Sequence, residues 1–276
     1  MITRRHFIQK SALLTGSLVA GQCLGDSLAP VLSNAAQVEP NDAALISSDV
    51  KFAAADGATV SGYLSRPKGD GNYPAVIAIH EWRGINDHSR DVARRLAKAG
   101  YVTLAPDLLS RLGGTGAFSR PEAATEGLYK LGDELFAKDL NGAVSYLKSQ
   151  NFVRANKIGV TGFCWGGGRA LMFTTRSKDL AASVIYYGEN PDNLEDVKNI
   201  TAPVLGHYGE ADPRITSAVP QLAEAMKKYG KSFEYKIYPG APHGFNNDTS
   251  PGNYREAAAK EAWGRNLEFF KKHLQN

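Results

Sequence analysis

The segment GVTGFCWGGGRA, residues 159–170, runs from apolar residues into Gly162-Phe163-Cys164-Trp165-Gly166 and then two further glycines. An apolar run that stops at small residues ahead of a helical pattern reads as strand, sharp turn, helix. Small residues flanking a nucleophile let the backbone turn tightly and lift that side chain above the sheet. The same turn aims the next amide, that of Trp165, at a carbonyl under attack. A phosphate loop needs Lys followed by Ser or Thr, and a dinucleotide fingerprint needs GxGxxG spacing; both are absent. Taken alone, Cys164 fits equally well as a small buried hydrophobe, the common state of a free cysteine.

Outward from this turn the chain alternates. Strands are predicted at 49–55 and 59–67, joined by the turn pair Asp56-Gly57, and at 74–80, a near-continuous apolar run expected of a strand buried on both faces. A helix over 87–100, capped by Asp87 and closed by Gly100, leads to a strand at 101–107. After a glycine-rich loop at 113–116, Ser119-Arg120-Pro121-Glu122 reads as a capping box opening a helix that carries Phe136, Leu140, Val144 and Leu147. Strands follow at 157–162, 182–188, 203–209 and 233–239, with helices near 165–176 and 216–229. Trp263, Leu267, Phe270 and Leu274 mark a last amphipathic helix. The expectation is one α/β domain over 37–276, with a mostly parallel sheet covered by helices on both faces.

The first 36 residues read as an export address. TRRHFI (3–8) is a basic start with paired arginines, Arg4 and Arg5. ALLTGSLVAGQCLG (12–25) is apolar but too short and glycine-rich for stable membrane insertion. Ser33 to Ala36 supply small residues for cleavage. The pattern resembles a twin-arginine signal, which makes the twin-arginine export machinery a partner of the precursor and the periplasm or exterior of a bacterium its destination. Gln22 before Cys23 argues against a lipoprotein. Cleavage removes Cys23 and leaves Cys164 as the only thiol, so no internal disulfide can form.

Composition is that of an ordinary globular protein, 43% hydrophobic and 22% charged. Taking Arg4, Arg5, Lys10 and Asp26 from the 32 basic and 28 acidic residues leaves 29 against 27. With no basic run interleaved with aromatics, nucleic acid is excluded as a partner.

A nucleophile on such a sheet needs an acid and then a histidine later in the chain. Asp212, in HYGEADPRI, and His243, in YPGAPHGF, each follow a predicted strand at its carboxyl end, the edge that also carries Cys164. HEWRG (80–84) closes another strand. It is not a zinc motif, because Gly84 stands where HExxH needs its second histidine, and no metal or cofactor is expected. The Trp82 amide is the candidate second oxyanion donor. Glu81, if buried beside the thiol, competes with His243 for its proton.

HEWRGIN, APDL, GFCWGG, YYG, GEAD and GAPHGF together resemble the dienelactone hydrolase family of α/β hydrolases, in unbroken order over residues 50–274. The resemblance implies the α/β-hydrolase fold, Cys164 as nucleophile, His243 as base and Asp212 as the acid that orients the imidazole. It implies Glu81 as partner of the resting thiol and the Trp82 and Trp165 amides as the oxyanion hole. Tyr129 matches an aromatic position near the family's site, and Trp82 and Arg83 are further candidate substrate contacts. The family's two substrate-site arginines fall at Thr125 and Asn247 here, so selectivity for carboxylate-bearing lactones is expected to be weak unless Arg83, Arg111 or Arg120 substitutes.

A thiolate is strongly nucleophilic at low basicity and leaves easily from a tetrahedral intermediate. It therefore suits small-molecule substrates with good leaving groups: lactones, enol or aryl esters, thioesters. The competing readings are a general carboxylesterase or thioesterase on the same fold, and an exported protein that binds a ligand or senses oxidants through Cys164 without turnover.

Replacing Arg4 and Arg5 with lysine keeps the charge and removes the pair. Processed protein is then expected to vanish from the periplasm, while the wild-type mature chain should begin near Ala36 or Gln37 by mass spectrometry. Unchanged processing of the double variant would point to the general secretory route.

Overall fold

The structure is a computed structural model that describes residues 37–276; the expected export signal over 1–36 lies outside the described residues. Eight strands form one sheet. They are β1 (Leu45–Ala53), β2 (Thr59–Pro67), β3 (Tyr73–Ile79), β4 (Val102–Pro106), β5 (Val153–Phe163), β6 (Ala182–Tyr186), β7 (Val204–Gly209) and β8 (Phe233–Tyr238). Their spatial order is β1-β2-β4-β3-β5-β6-β7-β8. The first two pairings, β1 with β2 and β2 with β4, are antiparallel, and every later one is parallel.

The helices are α1 (Asp87–Lys98), α2 (Pro121–Lys148), α3 (Trp165–Arg176), α4 (Pro213–Thr216), α5 (Val219–Lys228) and α6 (Glu256–Phe270). Alternation along the strands feeds two cores. On β3, Ala75, Ile77 and Ile79 join Leu140 and Val144 of α2, Leu171 of α3 and Leu222 of α5. Val76 and Ala78 point the other way, to Val92 and Leu96 of α1 and Ala262 and Phe270 of α6. A strand covered on both faces must be apolar at every position, as β3 is.

Local chemistry shifts several boundaries. β1 begins at Leu45, four residues before the predicted start, because it pairs with β2 along its whole length, Leu45 opposite Pro67 through Ala53 opposite Thr59. The cap of α1 is Asn86, whose side chain accepts from the Ser89 amide at 3.0 Å; Asp87 instead occupies the first turn, where a carboxylate favours the helix dipole. The Ser119–Glu122 capping box does not form. Pro121 forces the residue before it into extended backbone, so Arg120 (φ −147°) becomes the cap and Ser119 falls one position outside. α2 bends at Gly132, whose φ of 74° is not helical. The helix expected near 216–229 is α5, preceded by the short α4, and each has a proline in its first turn. Phe270 and Leu274 are fully buried as the last amphipathic pattern requires, and the chain ends in a π-helical turn, Lys271–Gln275.

The first turn of α3 lies against the end of β3. A Cβ built on Gly166 meets the carbonyl oxygens of His80 at 2.3 Å and Ile79 at 2.6 Å, backbone atoms that have nowhere to go. Gly264, exposed within α6, has no atom within 4 Å of such a Cβ. Gly166→Ala is expected to lose about 1–3 kcal/mol or more, and Gly264→Ala to gain up to about 1 kcal/mol through helix propensity. Urea melts of the two variants test this; equal effects would overturn the packing argument.

Candidate active site

Cys164 sits in the single residue between β5 and α3. Its φ of 58° and ψ of −122° place it in a backbone region that side chains rarely occupy. The turn holds because its amide donates to the Tyr186 carbonyl at 3.1 Å and its own carbonyl accepts from the Gly167 amide at 2.9 Å. The outcome is a half-buried thiol at the mouth of a pocket rather than the buried hydrophobe that its residue type also permitted.

Two loops bring partners to it. The β7 exit loop carries Asp212, which is buried, and the β8 exit loop carries His243. His243 Nδ1 donates to Asp212 Oδ2 at 2.5 Å, and His243 Nε2 lies 2.9 Å from Cys164 Sγ. Burial pulls the imidazole pKa down, but the hydrogen bonds to the Asp212 carboxylate and to the thiol outweigh it, and the value is raised to about 9. The arrangement is suited to proton exchange between sulfur and nitrogen with the imidazole held in one orientation.

The pocket, about 340 Å³, is lined by Trp82, Tyr129, Trp165 and Tyr187 around the thiol and His243, with Thr125, Glu189, Arg214 and Ile215 completing it. Its volume falls in the range of small-molecule sites. A larger cleft of about 460 Å³ over β1 and β2, lined by Asp49, Lys51, Arg90 and Asp107, holds none of these groups. Trp165 opens α3, where a helix leaves its first amides without intrahelical partners. Among the described residues neither the Trp165 nor the Trp82 amide donates to another protein group.

Of the other predicted residues, Glu81 is half-buried and its carboxylate accepts from Asn247 Nδ2 at 2.9 Å. The thiol faces His243, so the expected Glu81–thiol contact is not made in this structure. Thr125 Oγ1 donates to the Trp82 carbonyl at 3.2 Å and to that of Pro121 at 3.0 Å. Tyr129 is 73% exposed at the pocket rim. None of the three candidate arginines lines the pocket. Arg83 lies over the Trp82 ring at 4.5 Å, Arg111 is held by Asp56 and Asp139, and Arg120 is an exposed helix cap. The lining cation that sequence reasoning missed is Arg214, two residues beyond Asp212, paired with Glu189 at 2.8 Å. Tyr187 was also missed. It lies within the YYG motif but reaches His243, ring centroids 5.0 Å apart, only through a left-handed φ of 39°.

The Dienelactone hydrolase family model matches residues 60–274. The chain is 33% identical over 240 residues to a Methylorubrum extorquens protein named "Putative carboxymethylenebutenolidase", covering 83% of this chain and 82% of that one. It is 37% identical over 223 residues to a Bradyrhizobium protein named "Probable 2-oxo-3-(5-oxofuran-2-ylidene)propanoate lactonase", covering 77% and 89%. Among solved structures, a "Putative Dienelactone Hydrolase" from Klebsiella pneumoniae superposes with a TM-score of 0.75 at 30% identity, covering 83% of this chain and 99% of that one.

The raised pKa of His243 sets a pH dependence. The unfolded imidazole titrates near 6.5 and the folded one near 9, so protonation favours the folded state. The contribution is fully present below about pH 6.5 and is lost as the pH rises through about 9. Asp212→Asn removes the carboxylate, so the His243 imidazole should titrate well below 9 by NMR, and the decline in stability across that window should flatten. An unmoved titration would overturn the role assigned to Asp212.

Proposed function

This chain belongs to the dienelactone hydrolase family, hydrolases of ester and lactone bonds, and from that membership we propose a mechanism through an acyl-cysteine. The observation that carries this reading is the continuous line from Asp212 through His243 to the Cys164 sulfur, at 2.5 and 2.9 Å, opening on a pocket.

His243 takes the thiol proton, and the Cys164 sulfur attacks the carbonyl carbon of the substrate. As the C–S bond forms, the carbonyl π pair moves onto oxygen, where the Trp82 and Trp165 amides receive it. One such donor is commonly worth about 10²–10³ in rate. The intermediate collapses by expelling the alkoxide or enolate, which takes the proton from the imidazolium. A water molecule, deprotonated by His243, then attacks the thioester; the thiolate leaves, the carboxylic acid is released, and the sulfur regains its proton. Because a thiolate is itself a good leaving group, the first collapse favours acylation only when the competing group departs at least as readily.

The reading is thus a carboxymethylenebutenolidase-like hydrolase of lactones and activated esters, with a pocket walled by Trp82, Tyr129 and Trp165. Residues 1–36 are read as its twin-arginine export signal, and the periplasm as its place of work.

With purified protein, an activated aryl ester is expected to give burst release followed by turnover, and iodoacetamide to abolish both in step with labelling of Cys164. Cys164→Ala and His243→Ala should each lose roughly 10³-fold or more in kcat. Full activity in Cys164→Ala would sink the covalent mechanism, and absence of turnover by the wild type would leave the binding or redox-sensing reading.

A further inference from the structure

His80, the first residue after β3, is buried and lies outside the reacting groups. Both of its ring nitrogens are engaged. Nδ1 lies 2.7 Å from the Glu81 carbonyl oxygen, and Nε2 lies 3.2 Å from the Leu108 amide nitrogen. A carbonyl can only accept and an amide N–H can only donate, so the ring must be neutral with its proton on Nδ1. Burial, which pushes the pKa of this histidine down, maintains that form.

The Glu81 carbonyl and the Trp82 amide belong to one peptide unit. In a trans peptide the C=O and N–H point in opposite directions, and no cis bond occurs among the described residues. A donor that grips the Glu81 oxygen from the protein side therefore turns the Trp82 N–H the other way. Gly84 N–H donates to the same oxygen at 3.2 Å, closing the turn, and Thr125 holds the following carbonyl. The imidazole also lies face to face with the Trp165 indole, centroids 5.7 Å apart and planes inclined by 13°. One side chain thus bonds the peptide that carries the Trp82 amide and stacks on Trp165, whose own amide is the other one assigned to the oxyanion.

We propose that His80 is the positioning residue of the oxyanion hole, its Nδ1–H orienting the Trp82 amide through the shared peptide and its ring bracing Trp165. This rests on the acyl-cysteine reading above. Polarisation of the Glu81–Trp82 peptide by the bond to its oxygen strengthens its N–H as a donor.

Two variants separate the roles of the two nitrogens. Asparagine places an NH₂ near Nδ1 and keeps the donor to Glu81. Glutamine reaches the Nε2 position, keeps an acceptor for Leu108 and loses that donor. For an activated aryl ester, His80→Gln is expected to lower kcat roughly 10- to 100-fold with little change in KM, and His80→Asn to remain within about threefold of wild type. Alkylation of Cys164 by iodoacetamide forms no oxyanion, so both variants should be alkylated at the wild-type rate, which also reports an intact site. Equal losses in both variants, a loss confined to KM, or acylation and alkylation falling together would overturn the proposal. Should His80→Gln fail to fold, the ratio of acylation to alkylation rates in His80→Asn decides: preserved upholds the role of the Nδ1 donor, lowered refutes it. Full activity in Cys164→Ala would instead overturn the underlying mechanism, so the two failures are distinguishable.

Discussion

Between Phe163 and Trp165 the chain changes from strand to helix across one residue, and Cys164 takes a left-handed φ to make that possible. Side chains resist this conformation at a cost of order 1–3 kcal/mol, so it persists only where the surroundings leave no alternative. Here the surroundings are backbone. The Cys164 amide is tied to β6 through Tyr186, and Gly166 rests against the carbonyls that end β3. The central strands β3, β5 and β6 therefore hold the turn from both sides. That turn sets the height of the sulfur above the sheet, the direction of the Trp165 amide, and the line along which His243 can approach.

The second constraint is electrostatic. A buried carboxylate is costly unless it is hydrogen-bonded, and Asp212 has His243 as its partner. On its far side the imidazole Nε2 meets the thiol. Each member thus satisfies the next, and burial, which by itself would drive the proton off His243, is overridden by the groups it faces. A thiol exchanges a proton with an imidazole more readily than a hydroxyl does, at the expense of substrates with poor leaving groups.

The polar groups around the β3 exit loop are committed to one another and leave little free charge. Thr125 spends its hydroxyl on the Trp82 and Pro121 carbonyls, and Asn247 spends its amide on Glu81. A neutral amide thus stands beside the glutamate. Aromatic surfaces make up most of what remains, with the exposed Glu189–Arg214 pair at the edge.

Much of the fold was legible because it is written in local periods. Apolar runs such as 74–80 and 157–162 mark strands buried on both faces, and the alternation of strand and helix leaves a parallel sheet as the natural solution. The errors were local too: Pro121 moved a cap by one residue, and Asn86 took a role given to Asp87. The order of Cys164, Asp212 and His243 along the chain, each after a strand, was sufficient to nominate them. It could not supply the contacts, because those join residues 79 and 31 positions apart and depend on β5, β7 and β8 lying in one sheet with their carboxyl ends aligned. The partner of Glu81, 166 residues away, was likewise beyond any local pattern. So was the part played by His80, whose type and position say nothing of which nitrogen faces which carbonyl. The sequence by itself determined the strands, the turn and the candidate nucleophile, because these arise from periodicity and residue size over a few neighbours. Only the tertiary structure decided the hydrogen-bond partners and the direction of each amide, because these are set where loops from distant strands meet.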